Sequence, residues 1–156
     1  EGGKGGIYLD FSKKCRYGLR ALIDLAVNSK EERVPLNLIA ERNHISLQYL
    51  EQVFAALRKK GLVKSVKGSQ GGYFLAKKPE DILAAEILEA LDGSYLIEDE
   101  EMESEAGFGG IPAVIQTMLI DKVNKELDRL FRGISLADMA ETYLVYEEDA
   151  KDMYYI

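Results

Sequence analysis

The sequence predicts a mostly α-helical fold: a winged helix-turn-helix with a two-stranded wing and a long C-terminal dimerisation helix. Three observations predict it. Two short apolar-periodic segments flank "NHIS" at residues 43–46. A Gly-rich basic hairpin, "VKSVKGSQGGYFLAKKP" (63–79), follows directly. A long apolar-striped segment, 111–133, comes after an acidic stretch.

The elements follow in order. "EGGKGG" reads as a flexible leader or appended remnant, not a signal peptide. "IYLDF" (7–11) alternates like a short strand. Ser12 is placed to cap a helix carrying Tyr17, Leu19, Leu22, Ile23, Leu25 and Ala26 on one face. "NSKEERVP" is a polar loop closing at Pro35. Leu36, Leu38, Ile39 and Ala40 form a short helix, and Asn43 is the residue expected to turn left-handed after it. Ser46 caps a second helix with Leu47, Leu50, Val53, Phe54 and Leu57 as core, ended by Gly61. Ala40 is small where the two helices cross. This is the helix-turn-helix pattern.

"LVKSVK" (62–67) and "GYFLAK" (72–77) are strands joined by "GSQG", which makes the hairpin a wing. "PEDILAAEILEALDG" (79–93) is one helix with Pro79 at its start and Gly93 past its end. Residues 94–110 are an acidic, mobile loop. The helix 111–133 is about 30 Å long and stops at Gly133. "SLADMAETY" (135–143) is a short capped helix, and 144–156 is an acidic tail ending "DMYYI". As units these are a DNA-binding domain (7–93), an acidic loop (94–110), a dimerisation helix with its short successor (111–143) and the tail (144–156).

Charge separates the halves. Residues 1–78 hold 15 Lys and Arg against 7 Asp and Glu; residues 79–156 hold 5 against 20. The net charge of −7 thus hides a basic half fit for a polyanion and an acidic half that is not. One cysteine excludes an internal disulfide framework and points to a reducing, cytoplasmic compartment. No apolar run is long enough to span a membrane.

"GSQGGY" is not a Walker loop, because Gly72 leads into Tyr73 and a strand, not into Lys-Ser or Lys-Thr opening a helix. A plain hairpin turn is the bland reading. The flanking Lys64 and Lys67, with Ser69 and Gln70 at the tip, favour a wing that faces DNA. In the second helix of the motif, Ser46, Gln48, Tyr49, Glu51 and Gln52 face outward at the end that enters a major groove. Gln reads adenine and Glu accepts from cytosine; Ser46 is equally an N-cap. Lys13, Lys14, Arg16 and Tyr17 open the first helix, where phosphate clamping competes with simple solvation. His44 alone makes no metal site. No nucleophile–base set, metal spacing or cofactor loop is present, so neither an enzyme nor a cofactor is expected.

On Ile115, Met118, Leu119, Val123, Leu127 and Leu130 the long helix carries more apolar surface than packing on one side requires, which predicts a homodimer.

"SKKCRYGLRALIDLA", "IAERNHISLQYLEQVFAALRKKGLV" and "SVKGSQGGYFLAKKPEDI" together resemble the Rrf-type winged-helix transcriptional regulators over residues 7–93, and the long helix fits beyond. The resemblance implies a homodimeric bacterial regulator of double-stranded DNA. The family's wing residue after "SV" is commonly Arg; here it is Lys67, which lacks the planar fork. The slot before "RYG", usually Gly, holds Cys15. Iron–sulfur members place three cysteines before the long helix, and residues 94–110 hold none. The resemblance is therefore to the cysteine-metabolism repressor branch, the CymR type, which ends in two aromatics and isoleucine. In that branch the repressor binds O-acetylserine sulfhydrylase (cysteine synthase), which implies Met153, Tyr154, Tyr155 and Ile156 as partner-binding residues. The bland alternative is that the tail packs back on its own dimer.

The expectation is thus a metal-free dimeric repressor of cysteine and sulfur metabolism genes. Two alternatives stand beside it. One is a thiol-based redox regulator working through Cys15, with Lys14 and Arg16 favouring its thiolate. The other is an adaptor of a cysteine-synthesis enzyme that binds no DNA, against which the charge of the recognition helix and wing argues.

Overall fold

A computed structural model of the chain describes residues 10–29, 32–68, 71–100 and 110–154. The expected strand 7–11 lies mostly outside them, and its last two residues, Asp10 and Phe11, are irregular. Ser12 Oγ accepts the Cys15 N–H at 3.0 Å, and helix α1 (Lys13–Asn28) runs on from that cap. Its inward face is Cys15, Gly18, Ala21, Leu22 and Leu25. Four of the positions expected there, Tyr17, Leu19, Ile23 and Ala26, sit half-buried at its edges.

Helix α2 (Leu36–Asn43) and helix α3 (Leu47–Lys59) form the helix-turn-helix. The left-handed residue between them is His44 (φ 53°, ψ 44°), not Asn43. Asn43 stays helical because its amide is occupied, donating to Ile39 O at 2.9 Å and to Asp24 Oδ2 at 3.0 Å. The Ile45 N–H then bonds back to Ala40 O at 3.0 Å, closing the helix end.

Strands β1 (Val63–Val66) and β2 (Gly72–Leu75) pair antiparallel with Val63 opposite Leu75 and Val66 opposite Gly72. Val34, assigned to a loop by its polar surroundings, pairs with Tyr73 through hydrogen bonds of 2.8 and 2.9 Å. That close pairing explains Gly72: a Cβ there would lie 2.7 Å from Val34 O.

The segment 79–93 is not one helix. Pro79–Asp81 is a single 3₁₀ turn, Ile82 and Leu83 are extended, and helix α4 (Ala84–Asp92) starts afresh. The cause is tertiary. Leu136 N donates to Ile82 O at 2.7 Å and Ala84 N to Ile134 O at 2.8 Å, so this stretch serves as a strand-like ledge for the chain end. Glu86 then accepts the Leu83 N–H at 3.0 Å and restarts the helix.

The long helix is helix α5 (Ile111–Ile115), a π-helical turn (Gln116–Ile120) and helix α6 (Asp121–Arg132) in succession, ending at Gly133. Ser135 and Asp138 cap one another at 2.9 and 3.0 Å, and helix α7 (Leu136–Tyr154) follows. The expected short helix and acidic tail are thus one 19-residue helix as far as Tyr154. Neither Gly nor Pro interrupts 136–154, and Glu147 and Lys151 stand at the i,i+4 spacing that supports a helix. Residues 94–100, expected to be mobile, are anchored: Asn124 holds both backbone groups of Ile97, and Gln116 accepts the Glu100 N–H at 2.7 Å.

One core joins these elements. Leu22, Leu25, Ile39, Leu50, Phe54, Leu57, Ile82, Ile87 and Leu136 are fully buried, each contributing about 1.5–3 kcal/mol of transfer free energy. Gly18 lets α1 and α4 cross closely, since a Cβ there would sit 2.4 Å from Leu91 Cδ1.

Candidate nucleic-acid interface

Helix α3 is seated by Leu50, Val53, Phe54 and Leu57, all fully buried, so its other face is presented at a fixed angle. Ser46 Oγ accepts the Tyr49 N–H at 3.1 Å, which establishes its capping role. Gln48, Glu51 and Gln52 are exposed on the outward face. Leu47, expected in the core, is 41% exposed. It sits at the helix start and lines an open cleft with Leu36, Glu51, Arg58, Lys67 and Tyr73.

The wing forms the other wall of that cleft. Lys64 and Lys67 are exposed along it, while Ser69 and Gln70 lie outside the described residues. Arg58 at the end of α3 donates to Ser65 Oγ at 3.3 Å, tying recognition helix to wing. Gly71 and Gly72 allow close backbone packing: Cβ atoms there would meet Val66 O and Val34 O, each at 2.7 Å. Gly71 and Gly72 therefore serve close backbone packing, whereas Gly68 has open space and φ +119°.

The start of α1 stands beside the start of α3. The Tyr17 and Tyr49 rings meet edge to face at 5.8 Å and 89°. Lys13 Nζ lies 5.3 Å from the Tyr17 centroid and 5.7 Å from the Tyr49 centroid. Arg20 lies over the Tyr17 ring at 5.2 Å. Arg16 turns elsewhere, donating to Phe11 O at 2.7 Å and lying over the Phe11 ring. Lys14 is half-buried. Arg20 was not expected at this site. The signal was legible, because Lys13, Tyr17 and Arg20 follow one another at helical spacings of four and three.

Four cations are compensated by carboxylates among the described residues. Arg42 is held by Asp24 at 2.6 Å, Lys77 by Glu86 at 2.9 Å, Arg129 by Glu126 at 2.6 Å, and Arg132 by Glu89 and Asp128 at 3.0 Å each. Among the described residues, Lys13, Arg20, Lys64 and Lys67 have no carboxylate partner. Cations left uncompensated along one face suit a polyanion.

The surroundings of Cys15 oppose its thiolate. It is fully buried in α1, and burial, reinforced by the neighbouring Asp92 carboxylate, pushes its thiol up to about 12. The expected help from Arg16 is the weaker influence.

Met118, Leu119, Val123 and Leu130 are exposed, Ile115 is half-buried, and Leu127 packs partly on the core. Ile120, beside the stripe in sequence, points inward. Met153 and Tyr154 are exposed at the end of α7; Tyr155 and Ile156 lie outside the described residues. Among the described residues no helix is long and apolar enough to cross a membrane.

Residues 11–142 match the family model "Rrf2: Iron-dependent Transcriptional regulator". The HTH-type transcriptional regulator IscR of Photorhabdus laumondii is 36% identical over 136 residues, covering 87% of this chain and 82% of that protein. The structure of CymR (YrzC), the global cysteine regulator of B. subtilis, aligns with TM-score 0.67 and 32% identity over 85% of this chain and 97% of that one. IscR of T. potens aligns with TM-score 0.67 and 39% identity over 86% and 88%. With a helix-turn-helix, a basic wing and uncompensated cations on the same face, the chain belongs to the Rrf2 family of DNA-binding transcriptional regulators.

Proposed function

We propose that this regulator acts in the cytoplasm as a homodimeric, cluster-free repressor of cysteine and sulfur metabolism genes. The donor set carries the cluster-free reading. An iron–sulfur cluster needs several thiolates or imidazoles. This chain offers one thiol, buried in α1 and held neutral, and residues 94–110 contain neither Cys nor His. These residues do not fit a cluster, although the matched family is described as iron-dependent.

The exposed stripe of Met118, Leu119, Val123 and Leu130 supports pairing of two copies. Pairing would set two recognition helices about one DNA turn, roughly 34 Å, or a multiple of it apart. The likeness to the B. subtilis cysteine regulator supports the choice of genes.

The segment 153–156 supports a protein partner. Met153 and Tyr154 are exposed, and the sequence continues to Tyr155 and Ile156. An exposed aromatic and apolar segment suits capture in an apolar pocket of a partner. O-acetylserine sulfhydrylase is the proposed partner, with its substrate competing for that pocket.

The reading is tested by mapping genomic sites bound with and without excess cysteine precursor. Occupancy near sulfur-assimilation genes that changes with the precursor supports it. A site set unrelated to sulfur, or indifferent to the precursor, rejects it. For the partner, removing Ile156 should abolish enzyme binding and leave the melting temperature unchanged. A lowered melting temperature, with a "DMYYI" peptide that fails to inhibit the enzyme, would instead mean that the tail packs on its own dimer.

A further inference from the structure

We propose that the Tyr17–Tyr49 ring pair is a shelf that holds Lys13 and Arg20 as a two-cation clamp for the DNA sugar-phosphate backbone beside the recognition helix. The inference rests on the DNA-binding activity of the family and adds to it a contact that a helix-turn-helix and wing do not by themselves require.

The geometry carries the argument. Tyr49 lies in the first turn of α3, three residues after its Ser46 cap, so its ring marks the groove-entering end of that helix. Tyr17 belongs to α1 and meets that ring edge to face at 5.8 Å. The two rings therefore bridge two helices and fix a surface between them. Lys13 lies over both rings, and Arg20 lies over Tyr17 one turn further along α1.

Lys13 Nζ and Arg20 Cζ lie 5.3 and 5.2 Å from the same Tyr17 ring centroid. Arg42, Lys77, Arg129 and Arg132 are each compensated by a carboxylate. Neither Lys13 nor Arg20 has such a partner among the described residues. Both cations are therefore left to meet an external anion. A recognition helix with its first turn in the major groove has backbone phosphates along both lips of that groove. The ring faces add attraction for the cations and hold long side chains in place, so less freedom is lost when the strand docks.

The clamp makes separable predictions for binding to a mixed-sequence duplex, followed by fluorescence anisotropy over a salt series. Each contacting cation contributes about 0.9 to the slope of log K against log salt. R20Q and K13Q should each flatten the slope by about that amount without changing base preference. Y17L keeps both charges, so its slope should match the wild type while affinity falls about two- to fivefold at every salt concentration. Y17F keeps the ring and should behave as wild type. Should Y17L fail to fold by circular dichroism, R20K decides the shelf: the charge remains but the guanidinium plane on the ring is lost, so the slope holds and affinity falls.

A wild-type protein that binds no duplex rejects the DNA-binding reading itself. A wild type that binds while R20Q leaves the slope unchanged rejects the clamp alone. A flattened slope in R20Q with undiminished affinity in Y17L, or in R20K where Y17L does not fold, rejects the shelf.

Discussion

The Tyr95 hydroxyl donates to Asp128 Oδ1 at 2.5 Å, binding the segment after α4 to the middle of α6. The hydrogen bond from Tyr95, with Arg132 beside it, holds the Asp128 carboxyl below its ordinary range. Burial, together with that carboxylate, pushes the Tyr95 phenol up to about 12.

The pair therefore titrates in opposite directions. A depressed Asp128 stabilises the fold above the ordinary aspartate range, and the contribution is lost as pH falls through its folded value. A raised Tyr95 stabilises below the ordinary tyrosine range, and that contribution is lost as pH climbs toward 12. Y95F should cost about 1 kcal/mol at neutral pH, with the difference from wild type shrinking in acid. Urea unfolding across a pH series reads this directly, and a pH-independent difference would contradict it.

Two glycines should fail differently when replaced by alanine. Gly72→Ala drives a Cβ to 2.7 Å from Val34 O, a backbone atom that cannot swing aside, and should cost about 1–3 kcal/mol or more. Gly61 has open space around it but φ +74°, so Gly61→Ala should cost about 1 kcal/mol, with Asn tolerated better. Thermal melts of the three variants give the ranking, and a milder Gly72→Ala would refute the close-approach account.

Adjacent residues of the long helix should separate assembly from folding. Leu119 is 61% exposed whereas Ile120 is buried. Leu119→Glu should shift sedimentation toward monomer while circular dichroism stays unchanged. Ile120→Glu should lower the melting temperature whatever the association state. A wild-type protein that sediments as a monomer at micromolar concentration would remove the basis for the first outcome.

Wing and recognition helix should give different binding phenotypes. Replacing Lys64 or Lys67 removes backbone or minor-groove contacts and should weaken all sequences similarly. Replacing Gln48 or Glu51 should change which bases are tolerated, at about 1–3 kcal/mol per lost base contact. Selection of bound duplexes from a random pool separates the two. An equal, sequence-independent loss from all four substitutions would exclude α3 as the reading element.

Cys15 should be chemically silent in the folded protein. A thiol at about 12 is almost entirely protonated at neutral pH, and full burial blocks approach. Maleimide labelling should occur only with unfolding, and Cys15→Ala should keep duplex affinity and insensitivity to mild oxidant. Rapid labelling of native protein would restore the thiol-sensor reading.

The sequence carried the local signals of this fold. Ser12 and Ser46 stand where they accept the N–H groups of Cys15 and Tyr49, and Gly133 ends the long helix. The wing strands fall within one residue of their predicted starts. What was not legible depends on partners far along the chain. Ile82 and Leu83 leave a helical pattern because the 134–136 segment pairs with them. Asn43 yields the left-handed position to His44 because Asp24, in another helix, holds its amide. Lys13 and Tyr17 share a helical face by spacing alone, but their meeting with Tyr49 needed the crossing of α1 and α3.

The pairing of Leu136 with Ile82 has a consequence for birth on the ribosome. Everything from α1 to α4 emerges before the residue that closes its core, since fully buried Leu136 comes well after Asp92. At about 5–20 residues per second, the nascent amino-terminal half waits several seconds with that ledge uncovered. Vectorial synthesis thus leaves the helix-turn-helix unfinished until the carboxy-terminal elements arrive. Cutting the chain after Gly93 would make that temporary state permanent.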